Sequence, residues 1–293
     1  MANFDIYAAI TDRIIAELEN GIIPWRKPWT GTTTGAISRE TGRPYSLLNQ
    51  MLLGTPGEYL TWNQVKKEGG SVKKGAKAKM VVFWKVYPRE KKNADGQTVT
   101  DAEGKPVMEG LPVLRYFNVF HIDDCEGIKP KYTAETTKHA DPIQYAEETF
   151  ADYVSRSGVR FENVRQDQAY YSPSMDLIRL PLMEQFPDTA EYYSTLFHEA
   201  THSTGHPKRL DRLPKDAIAA HFGSEEYSKE ELVAEIGAAS ILNVLGIETA
   251  GTFKNSAAYI RSWLKALKND KRMIVSAAAR AEKAVKLILN TAE

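Results

Sequence analysis

Five consecutive residues, His198-Glu199-Ala200-Thr201-His202, place two imidazoles four positions apart with a carboxylate between them. Residues four apart on a helix share a face, so both rings can reach one metal ion. Glu199, beside His198, is placed to take a proton from an attacking water. The chemistry implied is metal-assisted hydrolysis of an amide. By composition, such a pattern arises by chance in about one chain in a hundred of this length, and its surroundings add weight. Asp188 with Glu191 forms a capping-box start after Pro187, Tyr192, Leu196, Ala200 and Ser203 follow at helical spacing, and Gly205 with Pro207 ends the segment. The pattern therefore lies on a predicted helix.

A catalytic site of this type needs a third protein ligand. The HExxHxxGxxH continuation fails: Gly205 fits, but Lys208 stands at the last position and His206 comes two residues early. The alternative is an acid on a later helix. KEELVAEIGAASILNVLG (229–246) supplies Glu231 and Glu235, four apart on one face beside Leu232 and Ile236. In one reading Glu231 binds the metal and Glu235 steadies a His of the first helix. In the other, Ser228-x-x-Glu231 is a capping box, and Glu235 is the ligand. Both require this helix to pack against the His-bearing one. The expected ion is zinc, and a His-His-Glu set also accepts manganese.

Further elements must frame these two helices. AYYSP-SMD-LIRLP (169–181) reads as a hairpin, whose edge strand could pair with a substrate backbone. Tyr170 and Tyr171 are candidates to hold an oxyanion, although buried strand tyrosines are common. Segments 256–269 and 271–290 read as amphipathic packing helices.

The first half has a different character. Thirty-eight Lys+Arg balance 38 Asp+Glu over the whole chain, yet residues 21–89 hold eight Lys and four Arg against three Glu. This excess of nine positive charges marks a segment suited to a polyanion. It follows an amphipathic helix carrying Ile6, Ile10, Ile14, Ile15 and Leu18, which Gly21 ends. Then come PWRKPW (24–29), a Gly/Thr-rich loop over 30–42, helices at 46–53 and within 61–70, and a hairpin over 72–88. In that hairpin Lys77 and Lys79 point outward and Val81–Trp84 form the buried strand. Residues 90–110 read as an exposed excursion, 111–122 as a returning strand, and 123–139 as a linker. His121 and His139 have no partners at ligand spacing.

Cations that track phosphates and aromatic faces that stack on bases are what single-stranded nucleic acid requires. The candidate contacts are Trp25, Arg26, Lys27, Trp29, Arg43, Tyr45, Trp62, Lys73, Lys74 and Lys77, with Trp84 nearby. Core packing and a solvated basic face remain open alternatives for the same residues. Neither a helix-turn-helix nor zinc-finger spacing is present. GSVKKGAK (70–77) is not a phosphate loop, because Ala76 replaces the lysine and a strand follows.

A chain of 293 residues suggests two domains, and 42% hydrophobic with 26% charged residues is ordinary for a globular chain. The single Cys125 excludes an internal disulfide framework and a thiolate cluster, and reads as a small buried hydrophobe in a reducing compartment. The N-terminus lacks a signal-peptide pattern, and no apolar run is long enough to span a membrane. These features point to a cytoplasmic protein.

Taken together, DIYAAITDRIIAELENGIIPWRKPW, YLTWNQVKKEGGSVKKG, VVFWK, AYYSPSMDLIRLP, HEATHSTGH and EELVAEIGAA resemble the ArdC antirestriction family of conjugative plasmids over nearly the whole chain. The resemblance implies an α+β protein of two domains, a small α+β single-stranded-DNA-binding domain followed by a zincin-like metallopeptidase domain. The expected boundaries are 1–130, a linker at 131–140, and 141–293. It also implies a bacterial, plasmid-encoded protein that protects incoming DNA from host restriction. Its protein substrate is not named by the residues, and a component of the restriction system is the candidate. Three readings follow: a peptidase delivered by DNA, a DNA-binding protein with a structural metal, and a free-standing peptidase with an incidental basic face.

Overall fold

A computed structural model describes residues 4–26, 35–132, 141–213, 225–247 and 256–291, with backbone alone at 26, 225–227 and 256–259. The first half opens on α1 (Ile6–Glu19), started by the Asp5 carboxylate, which accepts from the Ala8 N–H. It continues through β1 (Ala36–Ser38), α2 (Leu47–Leu53), β2 (Gly57–Thr61), α3 (Trp62–Lys67), β3 (Ser71–Val72), β4 (Lys79–Glu90), β5 (Met108–His121) and β6 (Cys125–Glu126). A four-stranded sheet has the order β1-β2-β5-β4, with β1 and β2 parallel and the other neighbours antiparallel. Asn49 of α2 seals β4 by exchanging both side-chain amide bonds with the Val82 backbone, each at 2.8 Å.

The second half runs α4 (Pro142–Ser157), β7 (Arg160–Asn163), β8 (Tyr170–Ser172), β9 (Leu177–Leu180), α5 (Thr189–Ser203), α6 (Glu225–Leu245), α7 (Ser256–Asn269) and α8 (Met273–Leu289). Its small sheet has the order β7-β9-β8, which leaves β8 at an edge. Phe150, Tyr153, Ile178, Leu180, Leu196 and Phe197 meet Ile241, Leu242 and Ile288 in a core that backs α5 with α4, the sheet, α6 and α8.

The two halves share a second core. Ile10, Ile14 and Leu18 of α1 pack with Leu232, Val233 and Ile236 of α6, with Trp263 of α7, and with Met273 and Ile274 of α8. Polar ties fix the same junction: Thr11 Oγ1 donates to the Lys271 carbonyl at 2.7 Å, and the Leu47 N–H donates to Glu282 of α8 at 3.2 Å. The first helix is thus part of the packing of the half that carries the histidine pair.

Several sequence expectations change. Residues 72–88 do not form a hairpin: β3 pairs with β6, and β4 pairs residue for residue with β5 from Lys79 to Glu90. The long β4–β5 arm closes on residues 91–107, where 90–110 read as an excursion. Burial along β4 stops after Val82, and Trp84 is 50% exposed. Lys77 is exposed, but Lys79 turns inward, because its Nζ donates to the Leu53 carbonyl at 2.6 Å and meets the Tyr59 hydroxyl at 3.3 Å. Residues 123–132 are not a linker. Cys125 is buried beside Ile122, and Lys131 and Tyr132 donate their N–H groups to Glu58, which is itself paired with Arg39. Residues 133–140 of the expected linker lie outside the described residues.

Trp25 is corrected as well. It is 1% exposed and packs edge-on against Trp263, with ring centroids 5.2 Å apart, so it fills the shared core and offers no face to a base. Trp25→Ala is therefore expected to destabilise the protein by about 3–5 kcal/mol, read as a fall in the urea midpoint. A change below about 0.5 kcal/mol would show that the two halves do not depend on this contact.

Candidate metal centre

Asp188 starts α5 by accepting from the Glu191 N–H at 2.8 Å, and the helix ends at Ser203, just before Gly205. His198 and His202 therefore project from one face, with their Nε2 atoms 3.1 Å apart. α6 approaches that face closely. A Cβ on Gly237 would lie 2.6 Å from Thr201 Cγ2, so glycine accommodates this helix spacing. The approach brings Glu231 Oε2 to 3.5 Å from His198 Nε2, and Oε1 to 3.3 Å from His202 Nε2. A tetrahedral ion with bonds of about 2.0–2.1 Å spaces its ligands by about 3.3–3.4 Å. The two imidazole nitrogens and the Glu231 carboxylate are thus close enough to share one small divalent ion, and one ligand atom from each lies within 4.8 Å of the others, a group of metal-ligand type among the described residues. Two imidazoles and a carboxylate suit zinc or manganese.

The surrounding groups orient the rings. Glu235 Oε1 stands 3.7 Å behind His198 Nδ1, and Glu230 Oε1 stands 3.2 Å behind His202 Nδ1. Each ring thus faces a carboxylate at its far nitrogen, Glu230 within hydrogen-bond reach and Glu235 at ion-pair distance, as carboxylates that orient metal-binding histidines do. Arg212 holds Glu230 in turn, with its Nη2 2.8 Å from Oε1, and reaches the Thr201 carbonyl and the Thr204 hydroxyl at the end of α5. Glu230 and Arg212 were not found from the sequence. Glu230 adjoins the candidate ligand, so helical spacing alone placed it off the metal-facing stripe. The capping-box alternative for Glu231 has no basis in the fold, since α6 begins at Glu225 and Ser228 lies inside the helix, facing Ser262.

Charge gives the pocket its character. Burial lowers the basicity of both imidazoles, but nearby carboxylates outweigh it. His198 is raised by its contact with Glu231 and the field of Glu199, and His202 is pushed up to about 10 by Glu230 and Glu231. Burial would raise the Glu231 carboxyl, yet the two imidazoles hold it well below the usual carboxylate range. This excess of negative charge favours a cation. Glu199 lies one residue from His198 and is 8% exposed, close enough for its charge to act on that ring.

A second ionic group braces α5 from below. Asp176, in a left-handed conformation (φ 46°) at the turn between β8 and β9, pairs with Arg209, whose Nε donates to the Ser203 carbonyl at 2.7 Å. The Tyr171 hydroxyl donates to Asp176 at 2.9 Å and meets Arg209 at 3.2 Å, so it is engaged there and is not free to hold an oxyanion. Tyr170 is partly exposed, with its hydroxyl 3.4 Å from Arg179.

The predicted nucleic-acid contacts are dispersed. Arg43 is exposed and Tyr45 half-buried on the loop before α2. Trp62 is exposed at the start of α3, with Lys66 Nζ 5.4 Å from its ring centre. Lys73, Lys74 and Lys77 are exposed between β3 and β4, and Lys73 is tied to the Asp123 carbonyl at 2.7 Å. The Arg26 side chain, Lys27 and Trp29 lie outside the described residues.

Comparison with known proteins settles the lineage. Residues 4–120 match the N-terminal domain of the anti-restriction factor ArdC, and residues 148–280 match a zincin-like metallopeptidase domain. The metal-free crystal structure of the antirestriction protein ArdC from plasmid R388 superposes with a TM-score of 0.72 at 35% identity, covering 97% of both chains. The chain belongs to the ArdC family. The Mn(II)-bound structure of the same R388 protein matches at a TM-score of 0.73 and 34% identity, covering 98% of both chains. ArdC-type sequence also occurs inside longer proteins. The DNA primase TraC of Escherichia coli is 36% identical over 96% of this chain, and a second TraC is 35% identical over 94%. The chain spans 26% and 19% of those primases. Among the described residues, no helix is long and apolar enough to cross a membrane.

Two outcomes follow from this geometry. Glu230→Ala should weaken divalent-metal binding by about 10- to 100-fold, measured by competition with a chelating dye; unchanged affinity would remove Glu230 from the site. The second concerns acid stability. Burial raises the Asp176 carboxyl, but Arg209 and Tyr171 overcome it and hold the group below its ordinary value of 3.8. Its contribution is therefore present above that value and lost as the pH falls through the folded-state pKa. Asp176→Asn should cost about 3 kcal/mol at neutral pH, with the gap to wild type closing in acid. A gap that does not vary with pH would refute the pairing.

Proposed function

We propose that this ArdC-family chain is a metal-dependent peptidase that binds single-stranded DNA and acts in the bacterial cytoplasm to protect incoming plasmid DNA from restriction. The observation that carries the peptidase reading is the convergence of His198, His202 and Glu231 at ligand spacing, with Glu199 next to His198 in the chain and its charge acting on that ring. In this reading the two histidines and Glu231 hold the ion, Glu235 and Glu230 orient the rings, and Glu199 accepts the proton of the attacking water and passes it to the leaving amine. A divalent ion bound there supplies Lewis-acid polarisation of the scissile carbonyl. The substrate backbone lies along the open edge of β8, which is in contact with α5. Zinc is the expected ion, and manganese fits the same donors. The protein cleaved is a DNA-associated component of the restriction system. The DNA reading is supported by the basic first half, where Arg43, Tyr45, Trp62, Lys73, Lys74 and Lys77 remain accessible in whole or in part.

The test separates catalysis from occupancy. Glu199→Ala should keep metal and DNA binding, abolish cleavage of cellular proteins as read by mass spectrometry against wild type, and abolish protection of transferred DNA. Protection that survives this change would mean that the chain blocks restriction by covering DNA.

A further inference from the structure

Trp84 is an anomaly of the fold. It is a large aromatic on a sheet strand, half exposed, in a region where the neighbouring Val81 and Val82 are buried. It lines two adjoining cavities, of about 470 and 340 Å³, and both are floored by Val275 and Ala279 of α8. Arg43 and Tyr45 line the first cavity. Tyr7, Arg272, Arg280 and Lys283 line the second. Arg272 lies over the Tyr7 ring at 5.0 Å. Arg43, Arg280 and Lys283 are exposed and form no ion pair with a carboxylate among the described residues. The one acid of the first cavity, Glu282, is engaged, since it accepts from the Leu47 N–H at 3.2 Å and lies 3.7 Å from Lys286. Cations without counter-charges thus lie beside the exposed Trp84 ring, with Tyr7 and Tyr45 half-buried in the same two cavities.

We infer that this groove, built jointly by the β4–β5 arm, the loop before α2 and the face of α8, is where single-stranded DNA binds, with Trp84 as the stacking platform. The inference rests on the single-strand reading above and relocates its centre. The binding site is not confined to the first half of the chain, because Arg272 precedes the last helix and Arg280 and Lys283 lie on it. Trp62 and Lys73, Lys74 and Lys77 line neither cavity. Bases stack on Trp84 and the flanking tyrosines, while the arginines and lysine track the phosphates. The groove suits a single strand because its aromatic faces are useful only to bases free of a duplex stack.

The experiment uses the full-length chain and a short fluorescein-labelled oligo(dT), with anisotropy followed over a range of salt. Trp84→Ala should weaken binding by at least about tenfold. The double change Arg280→Gln and Lys283→Gln should flatten the slope of log affinity against log salt by about 1.4, since each phosphate contact on a single strand contributes about 0.7. All three residues are solvent-exposed, and an unchanged melting temperature verifies that the variants fold. Wild-type binding with both variants within about twofold of it and an unaltered salt slope overturns the groove while leaving the DNA reading intact. No binding by wild type overturns both. Loss of binding in Lys73→Gln with Lys74→Gln, with Trp84→Ala unaffected, places the strand on the other basic face and also overturns the groove.

Discussion

The separation between α5 and α6 is the constraint on which the site depends. Gly237 faces Thr201 across it, and an added Cβ would lie 2.6 Å from Thr201 Cγ2, so either the Thr201 side chain or the helices would have to give. Thr201 also turns its hydroxyl back onto the Phe197 carbonyl at 2.7 Å, so no polar atom is stranded in the contact. At this distance Glu231 reaches both imidazoles at once. A shift of one ångström would leave three separate side chains in place of one ligand set, because bond lengths to a small ion tolerate only about 0.2 Å.

Holding charged groups in a largely buried cleft is costly unless each is paired. The fold meets this demand with two arginines that bracket the end of α5. Arg212 pairs with Glu230 and donates to the Thr201 carbonyl, while Arg209 pairs with Asp176 and donates to the Ser203 carbonyl. Both come from the short segment just after the helix, so the chain that leaves the His-bearing helix also clamps it. The carboxylate behind His202 is thereby tied to the backbone at the end of the His-bearing helix.

α8 gives the molecule its second unifying feature. One side of it packs on α6 and α5, which carry the metal-ligand set, and another receives Leu48 and Met51 of α2 and lies beside Val82 of β4. The groove proposed for DNA and the helices of the metal centre are therefore supported by the same element. A zincin-like half and an ArdC-type N-terminal half, recognisable as separate stretches of sequence, fold around a common apolar wall.

Much of the candidate metal centre was legible in the sequence because its information is local. The four-residue spacing of His198 and His202, the Asp188 cap and the spacing of Glu231 and Glu235 are properties of single helices. Helix geometry converts such intervals directly into shared faces. The starts and ends of α1, α2, α3 and α5 were legible for the same reason. Strand pairing was not. Whether residues 72–88 close on themselves or pair with 108–121 depends on long-range register, which no local pattern encodes. The fates of the aromatic residues were equally hidden. Trp25 and Trp84 lie in similar basic surroundings in the sequence, yet one is sealed against Trp263 and the other stands in an open groove, a difference set by where α7 and α8 dock. The residue types and their helical intervals determined a metal-ligand pair, a candidate acid and a basic, aromatic first half. Only the packing of distant helices decided that Glu230 and Arg212 stand behind the His202 ring, that Trp25 belongs to the core, and that α8 lines the basic groove, because those outcomes depend on contacts between segments far apart in the chain.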